Sequence, residues 1–272
     1  MFLRLNIVLS AAIVTFCFSA ALFAQAETAK TVVTKATPTP DTKAPAKPAT
    51  AEQISEAAIF IYGFGGGRVT LNQIRKTTIE KGKTTFIYAD GKSEQASYQR
   101  FIARGTALAK DKIRLDQEFP NARYSLIFND DKIHGLFNNT VFTPREDASK
   151  AFETSIFRGL EMLLRYKENE SKVELAGREK LMGVEFFMID VTDKKDRKAR
   201  FYISVKSYRI MMITYEDGGV KYKRKFYNHN YAQGTLVPYR SVLTADDKVT
   251  EETEIGTITF GQKVEDDLFK AN

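Results

Sequence analysis

The sequence has 272 residues, a formal net charge of +7 at pH 7 and one cysteine, Cys17. This composition excludes a scaffold held by internal disulfides and a thiolate metal site, so stability must come from buried apolar side chains. The two histidines, His134 and His229, stand far apart in the sequence without a cluster of other ligands. We therefore expect no metal centre and no cofactor.

Residues 1–26 are typical of a secretory signal peptide. Arg4 precedes an apolar run from Leu5 to Ala24, and Ala24-Gln25-Ala26 supplies a small-x-small cleavage site. Phe16 stands where a lipidated cysteine needs a small residue, which argues against lipidation of Cys17. We expect export from the cytoplasm with cleavage after Ala26. The alternative is an uncleaved anchor, because about 20 apolar residues could just cross a bilayer.

Residues 27–50 differ in composition from everything that follows. They consist mostly of Thr, Ala, Pro and Lys, and such a segment buries too little apolar surface to offset the entropy of ordering. The sequence predicts a disordered linker at 27–50 and a single domain at 51–272. An exported protein rarely meets nucleic acid. We therefore expect no nucleic-acid partner, although the net charge is mildly basic.

Two helices are predicted from their first residues. Thr50-Ala-Glu-Gln53 forms a capping box and Gly63 ends the helix that follows. Thr143-Pro144-Arg145-Glu146 combines an N-cap, a proline at the first helical position and a glutamate at the third. An apolar stripe at helical spacing then predicts one long second helix that ends near Tyr166.

Most of the remaining domain alternates between strand-forming runs and short polar turns such as Asp90-Gly91 and Asp217-Gly218-Gly219. The predicted strands are Val69–Lys76, Thr84–Ala89, Ala96–Gly105, Ile113–Glu118, Tyr124–Phe128, Ile133–Phe137, Lys172–Leu175, Val184–Val191, Ala199–Val205, Arg209–Tyr215, Val220–Tyr231, Thr235–Leu243 and Lys248–Phe260. Consecutive strands on short turns favour an antiparallel sheet. The predicted fold class is therefore α+β.

Two segments, Val184–Ile189 and Tyr208–Tyr215, are apolar on both faces of their predicted strands. A strand with one solvated face alternates between apolar and polar residues, so these segments require cover on both sides. The second cover could be the long helix, the curl of the sheet itself, a partner or an apolar ligand.

Several short motifs are spread along the domain. A strand ends at Gly105 and is followed by Lys110-Asp-Lys-Ile-Arg-Leu115, and a hairpin runs from Tyr124 to Phe137. Tyr222-Lys-Arg-Lys-Phe-Tyr227, Gly234-x-x-x-Pro238 and Asp266-Asp-Leu-Phe269 follow near the end. In this order the motifs resemble the LolA-like carriers of outer-membrane lipoproteins. The turn at Ala109-Lys110 departs from that family, which has arginine and proline there.

The resemblance implies a strongly curved antiparallel sheet, or half-barrel, with helices packed against its concave face around an apolar cavity for acyl chains. It also implies a bacterial periplasmic location, tethered to the inner membrane if the signal is retained. The apolar residues predicted to line that cavity are Phe101, Phe128, Phe137, Phe186, Met188, Phe201, Ile203, Met212 and Tyr215. For each of them, ordinary core packing is the alternative.

The densest basic cluster comprises Lys221, Lys223, Arg224 and Lys225. One interpretation is that these residues form the rim of the cavity and contact phosphate headgroups or an anionic membrane. The alternative is that they are a solvated strand face. Enzyme motifs such as Gly-x-Ser-x-Gly and His-Glu-x-x-His do not occur in the sequence.

The sequence therefore predicts a non-catalytic envelope carrier or binding protein for lipoproteins or lipids. Its expected partners are lipoprotein acyl chains or phospholipid, and an envelope membrane protein as a further partner. The alternative is an envelope stress or regulatory sensor whose half-barrel binds a partner protein.

Overall fold

A computed structural model describes residues 49–138 and 140–270. The predicted signal peptide (1–26) and nearly all of the predicted linker (27–50) lie outside these residues. Within the described ranges, no helix is both long and apolar enough to cross a membrane.

The described residues form four α-helices and thirteen β-strands. The helices are α1 (Ala51–Tyr62), α2 (Gly67–Ile74), α3 (Glu146–Phe157) and α4 (Leu160–Leu164). The strands are β1 (Thr77–Ile87), β2 (Ser93–Ala103), β3 (Lys112–Glu118), β4 (Arg123–Asn129), β5 (Lys132–Phe137), β6 (Thr140–Phe142), β7 (Lys172–Leu181), β8 (Val184–Thr192), β9 (Lys198–Ser204), β10 (Ile210–Asp217), β11 (Val220–Ala232), β12 (Thr235–Ala245) and β13 (Lys248–Phe260).

All the strands belong to one open antiparallel sheet in the order β6-β5-β4-β3-β2-β1-β13-β12-β11-β10-β9-β8-β7. The chain builds one half outward from β1 to β6, crosses through α3 and α4 to the opposite edge, and returns inward from β7 to β13. The first and last strands therefore pair in the interior of the sheet. The predicted α+β class and the antiparallel sheet are confirmed.

The helices pack on one face of the sheet, here called the helix face. The first apolar cluster joins α1, α4 and strands β7 to β12, with Tyr62, Leu163 and Phe201 fully buried. The second cluster joins α3 to β3 and β4 through Phe157 and Phe128, whose rings meet edge to face at 5.6 Å. On the opposite face, the C-terminal 3-10 turn Asp266–Phe269 covers β3 and β4.

The two halves of the sheet approach each other at their turns. Asp131 in the β4–β5 turn lies 2.8 Å, Oδ2 to Nζ, from Lys195 in the β8–β9 turn. β4 and β9 are eight positions apart in the sheet, which would separate them by about 38 Å in a flat sheet with a strand spacing of about 4.8 Å. The sheet is therefore consistent with a curved half-barrel.

The first predicted helix forms as its sequence indicates. Gln53 N donates to Thr50 Oγ1 at 3.3 Å, and Thr50 N donates to Gln53 Oε1 at 3.0 Å, which completes the capping box. Gly63 ends the helix, with its N–H donating to Ile59 O at 2.9 Å. Both ends of the helix are confirmed.

Thr50→Ala is expected to lower the free energy of unfolding by about 1 kcal/mol, because an orphan N–H of the first turn loses its acceptor. Urea denaturation measures the change. Thr143→Ala is the matched control, since Thr143 makes no cap and the exposed substitution should change stability by less than about 0.5 kcal/mol. Equal effects of the two substitutions would contradict the capping role.

The second predicted helix differs from the prediction in two ways. It begins at Glu146 after Arg145, and no side chain caps it, so the predicted Thr143 cap is wrong. It also breaks at Gly159, whose backbone is extended, to give α3 and the short α4. A Cβ on Gly159 would lie 2.6 Å from Ser155 O, so this close turn requires glycine.

The predicted strand Val69–Lys76 is wrong, because this segment forms helix α2. Arg68 and Asn72 are one helical turn apart and bind the same carboxylate: Glu168 accepts from Arg68 Nη1 at 2.5 Å and from Asn72 Nδ2 at 2.8 Å. In a helix, residues four apart lie one turn apart and close enough to bind the same group, whereas in a strand they would be about 13 Å apart. The short edge strand β6 was not predicted.

Candidate functional site

The sheet register divides the nine predicted cavity residues between the two faces. The helix face carries Phe128, Phe137, Phe201, Ile203 and Tyr215. The opposite face carries Phe101, Phe186, Met188 and Met212. A single ligand cavity could therefore not be lined by all nine residues without a change in register.

The helix-face members have different surroundings. Phe201 and Ile203 are fully buried in the first apolar cluster, and Phe128 is buried in the second. Phe137 is exposed near the β6 edge, and Tyr215 is partly buried. The buried members contact the protein's own core, so their role in ligand binding stays a prediction.

The two apolar segments, on β8 and β10, are covered on both faces along most of their length, although Val184 is 45% exposed. Phe187 and Ile213 belong to the first cluster on the helix face. On the opposite face, Phe186 and Met212 each retain 8% exposure, and Phe186 meets the Tyr202 ring edge to face at 6.2 Å. Neighbouring side chains of the same sheet face supply this second cover.

The predicted basic rim is also divided by the register. Lys221, Lys223 and Lys225 point to the opposite face, where Lys223 Nζ lies 2.8 Å from Asp247 Oδ1. Arg224 alone points to the helix face. The predicted membrane contact of these residues stays a prediction.

Between the two apolar clusters, the helix face carries a band of charged and hydroxyl side chains. We call it the central strip and define it as Glu80, Tyr98, Arg100, Arg224 and Glu251. These residues come from β1, β2, β11 and β13. The central strip lies where the sequence predicted an apolar cavity, and it gives that part of the face a polar floor.

One half of the central strip is built on β1 and β2. Glu80 is buried and accepts at Oε1 from Arg100 Nη2 at 2.5 Å and from Tyr98 Oη at 2.7 Å. Burial, followed by the charge of Glu80, raises the pKa of the Tyr98 hydroxyl above its ordinary range. Tyr98 therefore stays a hydrogen-bond donor.

The other half is built on β11 and β13. Arg224 Nη1 donates to Glu251 Oε1 at 2.9 Å and to Ser241 Oγ at 3.3 Å, and Thr253 Oγ1 donates to the same carboxylate at 3.2 Å. Burial would raise the pKa of Glu251, but the charge and hydrogen bond of Arg224, the hydrogen bond of Thr253 and the charge of Arg100 together outweigh it and lower the pKa. Arg100 contributes to this lowering, which links the two halves of the strip.

An aromatic pair continues the strip toward α3. Tyr215 stacks on Tyr222 with ring centroids 5.0 Å apart, and Arg158 lies over the Tyr215 ring at 5.2 Å. Burial raises the pKa of Tyr215 to about 12. The Nε–H groups of Arg158 and Arg100 are buried and have no hydrogen-bond partner within the described part of the chain.

Helix α3 reaches from the second cluster to the turns of the other half of the sheet. Lys150 Nζ lies 2.9 Å from Asp217 in the β10–β11 turn, and Arg158 Nη1 lies 3.6 Å from the same carboxylate. Glu153 pairs with Arg197 of the β8–β9 segment at 2.8 Å. These polar contacts supplement three buried apolar side chains, those of Phe152, Ile156 and Phe157.

A buried ionic cluster fixes α4 to the other end of the helix face. Glu161 accepts from Arg75 Nη1 at 2.7 Å and also from Arg104. Arg165 Nη1 donates to both oxygens of Asp111 at 2.9 and 2.8 Å, and Arg165 Nη2 donates to Gly105 O at 2.8 Å. The cluster joins α4 to α2, to β2 and to the turn after it.

The histidines lie on different strands. His229 Nε2 is 3.2 Å from Ile210 O, and burial lowers the pKa of this imidazole. His134 lies on β5. Among the residues that the structure describes, no group of three or more His, Cys, Asp or Glu side chains is arranged to hold a metal ion.

Sequence reasoning missed the central strip as a unit, although it predicted Arg224 as part of the basic rim. The pattern Glu80-Lys-Gly-Lys-Thr84 places polar residues on both faces of β1, and sequence alone does not say which of them are buried. A weak signal was present on β13, where carboxylates and threonines occur in place of apolar residues in Glu251-Glu-Thr-Glu254. The cross-strand partners Arg100 and Arg224 are distant in sequence and become visible only in the register.

The open antiparallel sheet with helices on one face defines the chain as having a LolA-like fold. A LolA superfamily protein from Nitrosomonas europaea is 10% identical, with a TM-score of 0.58 over 82% of this chain and 98% of that one. A DUF1329 family protein from Desulfovibrio piger is 12% identical, with a TM-score of 0.58 over 81% and 97%.

A third solved structure with this fold is an outer membrane lipoprotein-sorting protein domain from Vibrio parahaemolyticus. It is 14% identical, with a TM-score of 0.52 over 80% of this chain and 97% of that one. No family model and no curated protein sequence matches the chain. At these identities the likeness concerns the fold, and the predicted resemblance is confirmed at that level.

Proposed function

We propose that the chain is a non-catalytic envelope protein that carries or binds lipoproteins or lipids, with the acyl chain held on the helix face. The LolA-like fold supports a carrier or binding role. The proposal includes export by the N-terminal signal, a linker at 27–50 and a periplasmic binding domain at 51–272. It also includes the predicted packing of the helices against the concave face.

The observation that carries this proposal is the mode of attachment of α3. Three apolar side chains and a set of ion pairs hold it across the helix face. Its connection to α4 is broken at Gly159. Displacement of α3 would expose Phe128 and its apolar neighbours beside the central strip.

An acyl chain gains about 0.8 kcal/mol for each methylene group that it buries. The second cluster could supply the required apolar surface only if α3 moves away, because its side chains are already packed. The polar floor beside it would receive the ester or head group of the ligand. In the proposed mechanism, α3 moves away from the sheet. The acyl chain of the ligand then packs on the apolar surface that α3 had covered.

A cross-link tests this mechanism. Lys150 and Asp217 are replaced by cysteine in a Cys17→Ser chain and joined with a short bismaleimide, which holds α3 to the β10–β11 turn. We expect cross-linking to reduce binding of a diacylated lipopeptide, measured by native mass spectrometry, at least about tenfold. The loss follows because the apolar surface under α3 stays covered.

The matched control places the cross-link between Lys223 and Asp247, an ion pair of similar length on the opposite face. This control should bind lipopeptide like the uncross-linked protein. Equal binding by both cross-linked proteins would refute the α3 mechanism. An absence of acyl ligand in every form, including protein purified from its own envelope fraction, would refute the lipid-binding function.

The alternative is a sensor that binds a partner protein, and an exposed apolar patch favours it. Phe60, Phe64, Val69 and Tyr231 are all exposed around the α1–α2 loop. The Phe64 and Tyr231 rings meet edge to face at 5.0 Å, and Tyr231 Oη donates to Ile61 O at 3.2 Å. Such clusters often mark protein or membrane contacts. A chain that binds no acyl ligand would support this alternative.

A further inference from the structure

The arginines beside the apolar clusters have donors that their carboxylate partners leave free. Arg100 donates to Glu80 through Nη2, and Arg224 donates to Glu251 and Ser241 through Nη1. Arg158 contacts Asp217 through Nη1. Each carboxylate therefore holds its arginine in place but occupies only part of a guanidinium group that carries five N–H donors.

Two of the remaining donors are buried. The Nε atoms of Arg100 and Arg158 are shielded from solvent and have no acceptor among the described residues. A buried donor without an acceptor costs about 1–3 kcal/mol, so such groups are rare and call for a ligand or water. Arg100 points from β2 to the helix face, where its charge acts on Arg224 and Glu251, and Arg158 lies over the Tyr215 ring at 5.2 Å.

We propose that the central strip binds the phosphate group of an amphipathic ligand whose acyl chain lies against the second apolar cluster. This proposal rests on the proposed function and adds the chemical class of the head group. Phosphate supplies several acceptor oxygens, and guanidinium groups match it well. The Nε–H group of Arg100 would donate to these oxygens, while Glu80 keeps the arginine in position.

The experiment compares three ligands that separate the acyl chain from the phosphate group. They are dioleoyl phosphatidylglycerol, dioleoylglycerol and glycerol phosphate, each titrated into the full chain in the same nonionic detergent. We expect phosphatidylglycerol to bind at least about tenfold more tightly than dioleoylglycerol. One charge-assisted hydrogen bond to the phosphate group accounts for a difference of this size. Glycerol phosphate should bind much more weakly than phosphatidylglycerol because it lacks the acyl chains.

The test variant is the double substitution Arg100→Gln/Glu80→Gln, which removes both charges together and leaves no unpaired ion. It should bind the two lipids with affinities within about twofold of each other. The matched control is Arg240→Gln/Glu252→Gln, a cross-strand pair at 3.2 Å on the opposite face. The control should keep the wild-type preference.

If the test variant does not melt cooperatively, Arg224→Gln/Glu251→Gln provides the same comparison, since it removes the other charge pair of the central strip. Equal affinity of the wild-type protein for both lipids would overturn the phosphate site and leave the lipid-binding function standing. Binding of neither lipid would overturn both. Glycerol phosphate binding as tightly as phosphatidylglycerol would support the phosphate site with a free phosphate ester as its source, and would overturn the acyl-chain role.

Discussion

Arg165→Met is expected to lower the free energy of unfolding by about 3–5 kcal/mol. Arg165 and Asp111 both have side chains with only 3% exposure, and the arginine binds both carboxylate oxygens. Removing the arginine leaves a buried carboxylate without its counter-charge and leaves Gly105 O without its donor. Burial already raises the pKa of Asp111 against the attraction of Arg165, so the variant should bind a proton there more readily.

Urea denaturation at pH 7, followed by circular dichroism, measures this loss. The double variant Arg165→Met/Asp111→Leu should recover much of it, because neither charge of this pair is then left buried without its partner. Arg200→Met is the control: its pair with Asp190 is 41% and 38% exposed, so the loss should stay below about 1 kcal/mol. A loss of similar size in the buried and the exposed variants would show that the Arg165 pair does not stabilise the fold.

Glu161→Gln is expected to lower the free energy of unfolding at pH 7 by about 3 kcal/mol. Burial alone would raise the pKa of Glu161, but the charges of Arg104, Arg75 and Arg165 outweigh it and lower the pKa from 4.5 to about 2. The ionised carboxylate therefore binds more strongly to its surroundings in the folded state than in the unfolded state. Glutamine keeps the shape and loses this charge.

The lowered pKa determines how the stability difference between wild type and Glu161→Gln should change with pH. Because the folded pKa is lowered, the stabilisation by Glu161 is fully present above pH 4.5 and is lost as the pH falls toward 2. The difference in unfolding free energy between wild type and Glu161→Gln should thus shrink over this interval. A difference that stays constant from pH 7 to pH 2 would contradict a lowered pKa for Glu161.

The antiparallel sheet was predictable because its signals are local. Apolar alternation and turn residues such as Asp217-Gly218-Gly219 determine each hairpin without reference to distant parts of the chain. The α1 cap was predictable for the same reason. Helix α2 was not, because Val69 and Thr70 favour a strand locally, whereas the helix is stabilised by Glu168, a residue about a hundred positions away.

The candidate site was less predictable than the fold because it depends on register. A residue's face changes with a shift of one position, and the register depends on how whole strands and turns fit together, which single sequence segments do not show. For this reason Phe201 and Met212, both predicted to line one cavity, lie on opposite faces. The same uncertainty hid the charges of the central strip. Glu80 and Lys81 are neighbouring charged residues on β1, and the sequence does not show that only Glu80 is buried.

The pairing of β1 with β13 has a consequence for the order of folding. These strands lie in the interior of the sheet, but about 180 residues separate partners such as Thr78 and Phe260. Each half of the sheet can form its own hairpins early, whereas the two halves join only when β13 pairs with β1. Contacts this distant slow folding. A chain in which β13 has not yet paired would therefore expose two strand edges, at β1 and β12, that are open to pairing with other chains.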